Sequence, residues 1–154
     1  MMMHLCCDVL KLLEGKTLVT AESCTGGGIG AALTAVPGSS KVYKGGIISY
    51  TNAVKTKQLG VDPDLLDRVG AVSAPVAEAM AVGAKNALDA DIAVSVTGLA
   101  GPDGDNFGNP VGTVYVGYAA ADISFSREYH FNGDREAIRN QTIEAALRLI
   151  VEKH

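Results

Sequence analysis

Thr17-Leu-Val-Thr-Ala-Glu-Ser-Cys-Thr-Gly-Gly-Gly28 limits the folds open to this chain more than any other stretch does. Residues 18–21 form a short apolar run of the kind a buried strand carries. Three glycines lead from it into an amphipathic segment, 29–36, with helical spacing. A strand handed to a helix through a glycine turn is a building unit of α/β folds. Between the two lie Glu22, Ser23, Cys24 and Thr25, and the last three carry nucleophilic atoms. A hydroxyl at such a junction has backbone N–H groups and the positive end of a helix dipole beside it, which suits acyl-transfer or phosphate chemistry. Ser and Thr are also ordinary helix caps, so the stretch by itself supports both readings.

The flanking sequence extends the pattern. Leu5, Cys6, Val9, Leu10, Leu12 and Leu13 recur at helical spacing, and Gly15 is placed to end that first helix. After a helix over 27–36 and a turn at 37–40, residues 45–50 read as a second strand and 52–59 as a helix stopped at Gly60. Asp62 caps a short helix through Arg68 with Pro63 in its first position, and Ser73 opens a long Ala-rich helix over 74–88. In the strand at 91–97, Ile92, Val94 and Val96 alternate with small residues, as expected between two helical layers. A glycine- and proline-rich loop, 98–110, follows, and long irregular loops inside compact domains usually carry function. Residues 113–119 and 123–131 read as an antiparallel hairpin turning near Asp122. A last helix starts at Gly133-Asp134 and buries Ile138, Ala145, Ala146, Leu149 and Ile150. The order predicts a single three-layer α/β/α domain over 1–154, with a mixed, mainly parallel sheet that turns antiparallel at the hairpin.

Several function classes are excluded or disfavoured. A net charge of −4 with no basic run removes the electrostatic footprint of a nucleic-acid binder. The three cysteines, Cys6, Cys7 and Cys24, form no metal-binding spacing, so no metal site is expected. Their odd number suits a reducing compartment. Asp8 and Lys11 interrupt the N-terminal apolar stretch, and no continuous apolar span approaches membrane length, so a soluble cytoplasmic protein is expected. Gly26-Gly-Gly-Ile-Gly-Ala31 matches the dinucleotide fingerprint in form. However, four residues lengthen its turn, and no acid lies near the end of the second strand. No Gly-Lys-Ser/Thr follows the glycines, which excludes a Walker loop.

The histidines, His4, His130 and His154, are badly placed for a Ser/His/Asp triad. A Ser–Lys arrangement needs none, and Lys55 lies just after the second strand in Tyr50-Thr-Asn-Ala-Val-Lys55. A desolvated lysine can accept a hydroxyl proton near neutral pH, whereas a solvated one beside Lys57 would do nothing of the kind.

Ala21-Glu-Ser-Cys-Thr-Gly-Gly27, Gly38-Ser-Ser40, Ile48-Ser-Tyr-Thr-Asn-Ala-Val-Lys55 and Gly70-Ala-Val-Ser73 together resemble the C-terminal domain family of the competence-damage-inducible protein CinA. Thr97-Gly-Leu-Ala-Gly-Pro-Asp-Gly104, Pro110-Val-Gly-Thr113 and Gly133-Asp-Arg135 continue the resemblance in order along nearly the whole chain. Thr51 and Ala53 depart from it, standing where serine and glutamate are frequent. Stand-alone members of this family resemble nicotinamide-nucleotide amidases, which hydrolyse the carboxamide of nicotinamide mononucleotide to the acid and ammonia. The larger CinA proteins carry a further N-terminal domain, for which this chain is too short.

The resemblance implies that Ser23 is the nucleophile and Lys55 its base, with Tyr50 orienting the lysine or facing the pyridine ring. It places backbone donors at Thr25, Gly26 and Gly27 on the oxyanion. Thr97, Gly98 and Gly101 would give close backbone approach to the ligand, and Arg135 would supply a charge for the substrate phosphate. No cofactor and no metal enter this chemistry. The expected partners are a small nucleotide substrate and further copies of the chain, with neither nucleic acid nor membrane. A competing class is a non-catalytic nucleotide-binding or regulatory module with the same glycine loops; another is an amidase of a different small amide.

Overall fold

The structure, a computed structural model, describes residues 2–154. A first helix, α1 (Met2–Leu12), leads into β1 (Leu18–Glu22), α2 (Gly28–Thr34) and β2 (Tyr43–Ile48). The chain continues through α3 (Asn52–Leu59), α4 (Pro63–Val69) and α5 (Ala74–Ala87) to β3 (Ile92–Gly98). The hairpin of β4 (Thr113–Ala119) and β5 (Ser124–His130) precedes the closing helix α6 (Arg135–Lys153).

The strands form one sheet in the order β2-β1-β3-β4-β5. β1 pairs in parallel with both β2 and β3, while β3–β4 and β4–β5 are antiparallel. The expected three-layer architecture follows from the pleat. On one face Leu18, Ile92, Val94, Val96, Val114 and Val116 pack against α1, α2 and α6. On the other Val19, Ala21, Ala93 and Ala119 pack against α3, α4 and α5. The second face carries the smaller side chains, so α5 lies close to the sheet. Ser95 Oγ reaches the Ala77 carbonyl at 2.6 Å, and Thr97 Oγ1 donates to the Ala71 carbonyl at 2.9 Å just before that helix.

Side-chain caps fix three of the helix starts, whereas Ser73, placed to open α5, makes no cap hydrogen bond. Thr51, Asp62 and Asp134 accept from the amides of Val54, Asp64 and Ala137, caps worth about 1 kcal/mol each. The second strand sits two residues earlier than its apolar pattern predicts, at Tyr43–Ile48 rather than 45–50. Ser49 still donates its amide to the Glu22 carbonyl, but the Ser49 and Tyr50 carbonyls leave the ladder to meet Lys55. Among the described residues, no helix is long and apolar enough to cross a membrane.

β1 lies between β2 and β3 and runs parallel to both; the crossover from β1 to β2 passes through α2 on one face of the sheet, and that from β2 to β3 passes through α3, α4 and α5 on the other. A crevice opens at such a point in α/β sheets. Ser23, Ser49 and Gly98 lie at or just beyond the carboxyl ends of these three strands.

Candidate active site

A cleft of about 250 Å³ occupies that position, lined by Ser23, Cys24, Tyr50, Asn52, Lys55, Ala71, Val72, Thr97, Gly98, Ala100 and Arg135. At its floor Lys55 Nζ donates to Ser23 Oγ at 3.0 Å, to the Ser49 carbonyl at 2.8 Å and to the Tyr50 carbonyl at 3.2 Å. Lys55 is only 1% exposed although it lies on a short polar helix. Burial lowers its pKa to about 8, against a smaller opposing effect of the Cys24 thiol.

The turn that presents Ser23 is held from within by Glu22. This carboxylate is buried, and it accepts from Thr20 Oγ1 at 3.1 Å, Thr25 Oγ1 at 2.7 Å, the Ile29 amide at 2.8 Å and the Gly30 amide at 3.0 Å. Four donors and the positive end of α2 compensate the buried charge. The amides of Ile29 and Gly30 at the start of α2 are thus occupied by the protein itself. Gly26 and Gly27 have φ of +58° and +100°, which side chains rarely adopt, and this lets the turn reverse tightly into α2.

Cys24 differs sharply from its neighbour. It is 5% exposed, and burial pushes its thiol up to about 11. A thiol in that state holds almost no thiolate at neutral pH.

The structure brings Ser23, Tyr50, Lys55, Thr97, Gly98 and Arg135 together in the cleft wall. Gly101 lies at its edge, where its carbonyl accepts from Arg135 Nη1 at 2.6 Å. Arg135 Nη2 also donates to the Tyr50 hydroxyl at 3.2 Å. Tyr50, which reads from sequence as a strand residue, lies beyond the strand with 57% of its surface exposed. Thr25, Gly26 and Gly27 lie in the turn behind Ser23, with the Thr25 hydroxyl committed to Glu22. The Gly26 amide closes onto the Ser23 carbonyl at 3.1 Å, whereas the Thr25 and Gly27 amides have no protein acceptor among the described residues.

Sequence reasoning missed two charged groups here. Glu22 was visible only as an acid at a strand end. Arg139 donates from Nε to the Cys24 carbonyl and from Nη2 to the Thr25 carbonyl, each at 3.0 Å. Its spacing of four from Arg135, which puts both on one helix face, was the available signal.

The family model described as the CinA C-terminal domain matches residues 4–154. The chain belongs to the CinA C-terminal domain family. A Pseudomonas putida protein named nicotinamide-nucleotide amidohydrolase PncC is 53% identical over 130 residues, covering 84% of this chain and 81% of that protein. A CinA-like protein of Thermosynechococcus vestitus is 51% identical over 82% of this chain, but only 31% of the relative is covered. The chain therefore spans most of the pseudomonad protein and about a third of the longer CinA-like one. Among solved structures, a CinA superfamily protein of Escherichia coli superposes with a TM-score of 0.97 at 34% identity, covering 100% of this chain and 91% of that one. An Agrobacterium tumefaciens family member superposes at 0.94 with 37% identity, covering 98% and 94%.

Proposed function

We propose that this CinA-family protein hydrolyses the carboxamide of nicotinamide mononucleotide to nicotinate mononucleotide and ammonia, with Ser23 as nucleophile and Lys55 as base. The observation that carries the reading is the buried Lys55–Ser23 contact at 3.0 Å, in a chain 53% identical to a named nicotinamide-nucleotide amidohydrolase.

A neutral amine has two N–H groups and one lone pair. With the Ser49 and Tyr50 carbonyls taking the two N–H groups, the lone pair is left for the Ser23 hydroxyl proton. Ser23 Oγ then bonds to the carboxamide carbon, and the π pair of the carbonyl moves onto its oxygen. Lys55 returns the proton to the nitrogen as the C–N bond breaks and ammonia departs. Water attacks the resulting ester by the same route, with Lys55 again taking and returning a proton. Protein amides stabilise the oxyanion; losing one such donor typically costs about 3 kcal/mol.

Tyr50, half-exposed at the cleft, offers a ring face to the cationic pyridinium of the substrate. Arg135 has used two of its five N–H groups on Gly101 and Tyr50, and the rest are available to the phosphate. Thr97 and Gly98 also line the cleft, and their backbone would contact the ligand.

Ammonia release from nicotinamide mononucleotide, free nicotinamide and glutamine tests the assignment. Release from the mononucleotide alone is expected. Release from another amide instead would change the substrate, and release from none would leave a binding module in place of an enzyme.

A further inference from the structure

We propose that Arg139 is a positioning residue for this reaction: it fixes the peptide planes of the nucleophile turn so that the Thr25 amide faces the oxyanion. The inference rests on the amidase reading above and adds to it a residue outside the cleft lining.

In a trans peptide the carbonyl of one residue and the amide of the next point in opposite directions. Arg139 holds the Cys24 carbonyl from Nε and the Thr25 carbonyl from Nη2, each at 3.0 Å. The following amides, Thr25 and Gly26, therefore point away from the guanidinium. The Gly26 amide ends on the Ser23 carbonyl, which shows that the side away from Arg139 is the side where Ser23 lies. The Thr25 amide leaves the chain on that same side and has no protein acceptor among the described residues.

The turn has reason to need such a fixture. With Gly26 and Gly27 both at positive φ, it lacks the side-chain restraint that would keep a peptide from flipping. Glu22 anchors the helix side of the turn through Thr25 Oγ1, Ile29 and Gly30, but it touches neither carbonyl. A planar guanidinium with two parallel donors matches two successive carbonyls, and an ammonium does not. As Ser23 Oγ bonds to the amide carbon, negative charge grows on the amide oxygen. An N–H already aimed at that point needs no reorientation.

The test compares the unmodified protein with Arg139→Gln and Arg139→Lys, with rates expressed per folded active site. Both variants are expected to lose about 10- to 100-fold in kcat, short of the full loss of a donor, with KM changed by less than about twofold. Methylguanidinium is expected to restore part of the kcat of Arg139→Ala. A role confined to fold stability would lower the melting temperature and leave kcat per folded site intact, which overturns the proposal. A rise in KM with kcat intact overturns it too, because Arg139 would then be a substrate contact. Amide NMR gives a readout independent of turnover. The Thr25 and Gly26 resonances are expected to shift in Arg139→Gln, and unmoved resonances reject the positioning role. If the unmodified protein releases no ammonia while these resonances do shift, the amidase reading fails and the peptide-plane control by Arg139 stands.

Discussion

Lys55 Nζ lies 3.0 Å from Ser23 Oγ, although the two residues come from different βα connections and neither is placed by local sequence. The sheet makes the contact. β1 and β2 run side by side with Glu22 opposite Ile48, so the residues just past each strand end on a common level. The first turn of α3 then returns Lys55 beneath the Ser49 and Tyr50 carbonyls. Ser23→Ala is expected to lower kcat at least about 10³-fold while the protein stays folded, since the substitution removes only the side-chain oxygen. Mononucleotide turnover and a thermal melt check both halves of that expectation.

Cys24 supplies the contrasting variant. Its thiol, held at about 11 by burial, is a poor nucleophile at neutral pH despite the intrinsic reactivity of sulfur. Cys24→Ala is expected to retain turnover within about tenfold, and to lose about 1 kcal/mol of stability as a small buried apolar group. Rapid iodoacetamide inactivation that tracks alkylation of Cys24 would reverse the two roles.

Much of this arrangement was legible in the sequence. The alternation of Ile92, Val94 and Val96 with small residues gave β3 and its two unequal faces, because the pleat assigns side chains to faces with period two. Asp62 and Asp134 marked helix starts because capping is local chemistry. The rest depends on partners far along the chain. Strand β2 ends early because Lys55, several residues later, takes two of its following carbonyls. The start of α2 is closed to ligands because Glu22 folds back onto Ile29 and Gly30. Arg139 reaches Cys24 and Thr25 only once α6 docks against the sheet. No window of local sequence holds those pairings.

In the proposed mechanism the lowered pKa of Lys55 sets the pH dependence of catalysis. The base must be neutral to accept the Ser23 proton, so kcat/KM is expected to rise about tenfold per pH unit below about 8 and to level off above it. Lys55→Arg keeps the charge and cannot release it in this range, so it is expected to be almost inactive at every pH tested. A flat profile between pH 6 and 9 in the unmodified enzyme, or substantial turnover by Lys55→Arg, would move the base elsewhere.

The same shift carries a stability signature of definite sign. Between about 8 and 10.5 the unfolded chain holds a proton on Lys55 that the folded protein has released. Stability from this group therefore rises with pH across that window, by about 3 kcal/mol in all, and is constant on either side. Cys24 acts in the opposite direction over part of the range, because its raised pKa makes the folded state hold the proton longer. The clean measurement is the difference in unfolding free energy between the unmodified protein and Lys55→Met, which shares Cys24. That difference is expected to shift in favour of the unmodified protein from pH 8 to pH 10, and a pH-independent difference would mean that Lys55 keeps an ordinary pKa when folded.

The proposed phosphate contact of Arg135 makes a prediction about substrate selection. Its guanidinium joins the Gly101 carbonyl to the Tyr50 hydroxyl across the edge of the cleft, and its remaining donors are open to an anion there. A charge-assisted phosphate contact contributes about 1.5–3 kcal/mol, so the mononucleotide is expected to be hydrolysed at least about tenfold better than its dephosphorylated riboside. Arg135→Ala is expected to lower kcat/KM for the mononucleotide by that factor while leaving the riboside within about twofold. Tyr50→Phe separates this effect from the loss of the Arg135–Tyr50 hydrogen bond, since it removes that bond and keeps the guanidinium. Its preference for the phosphorylated substrate should survive. Should Arg135→Ala keep the full preference, the phosphate is held elsewhere in the cleft and Arg135 serves only to brace Tyr50 and Gly101.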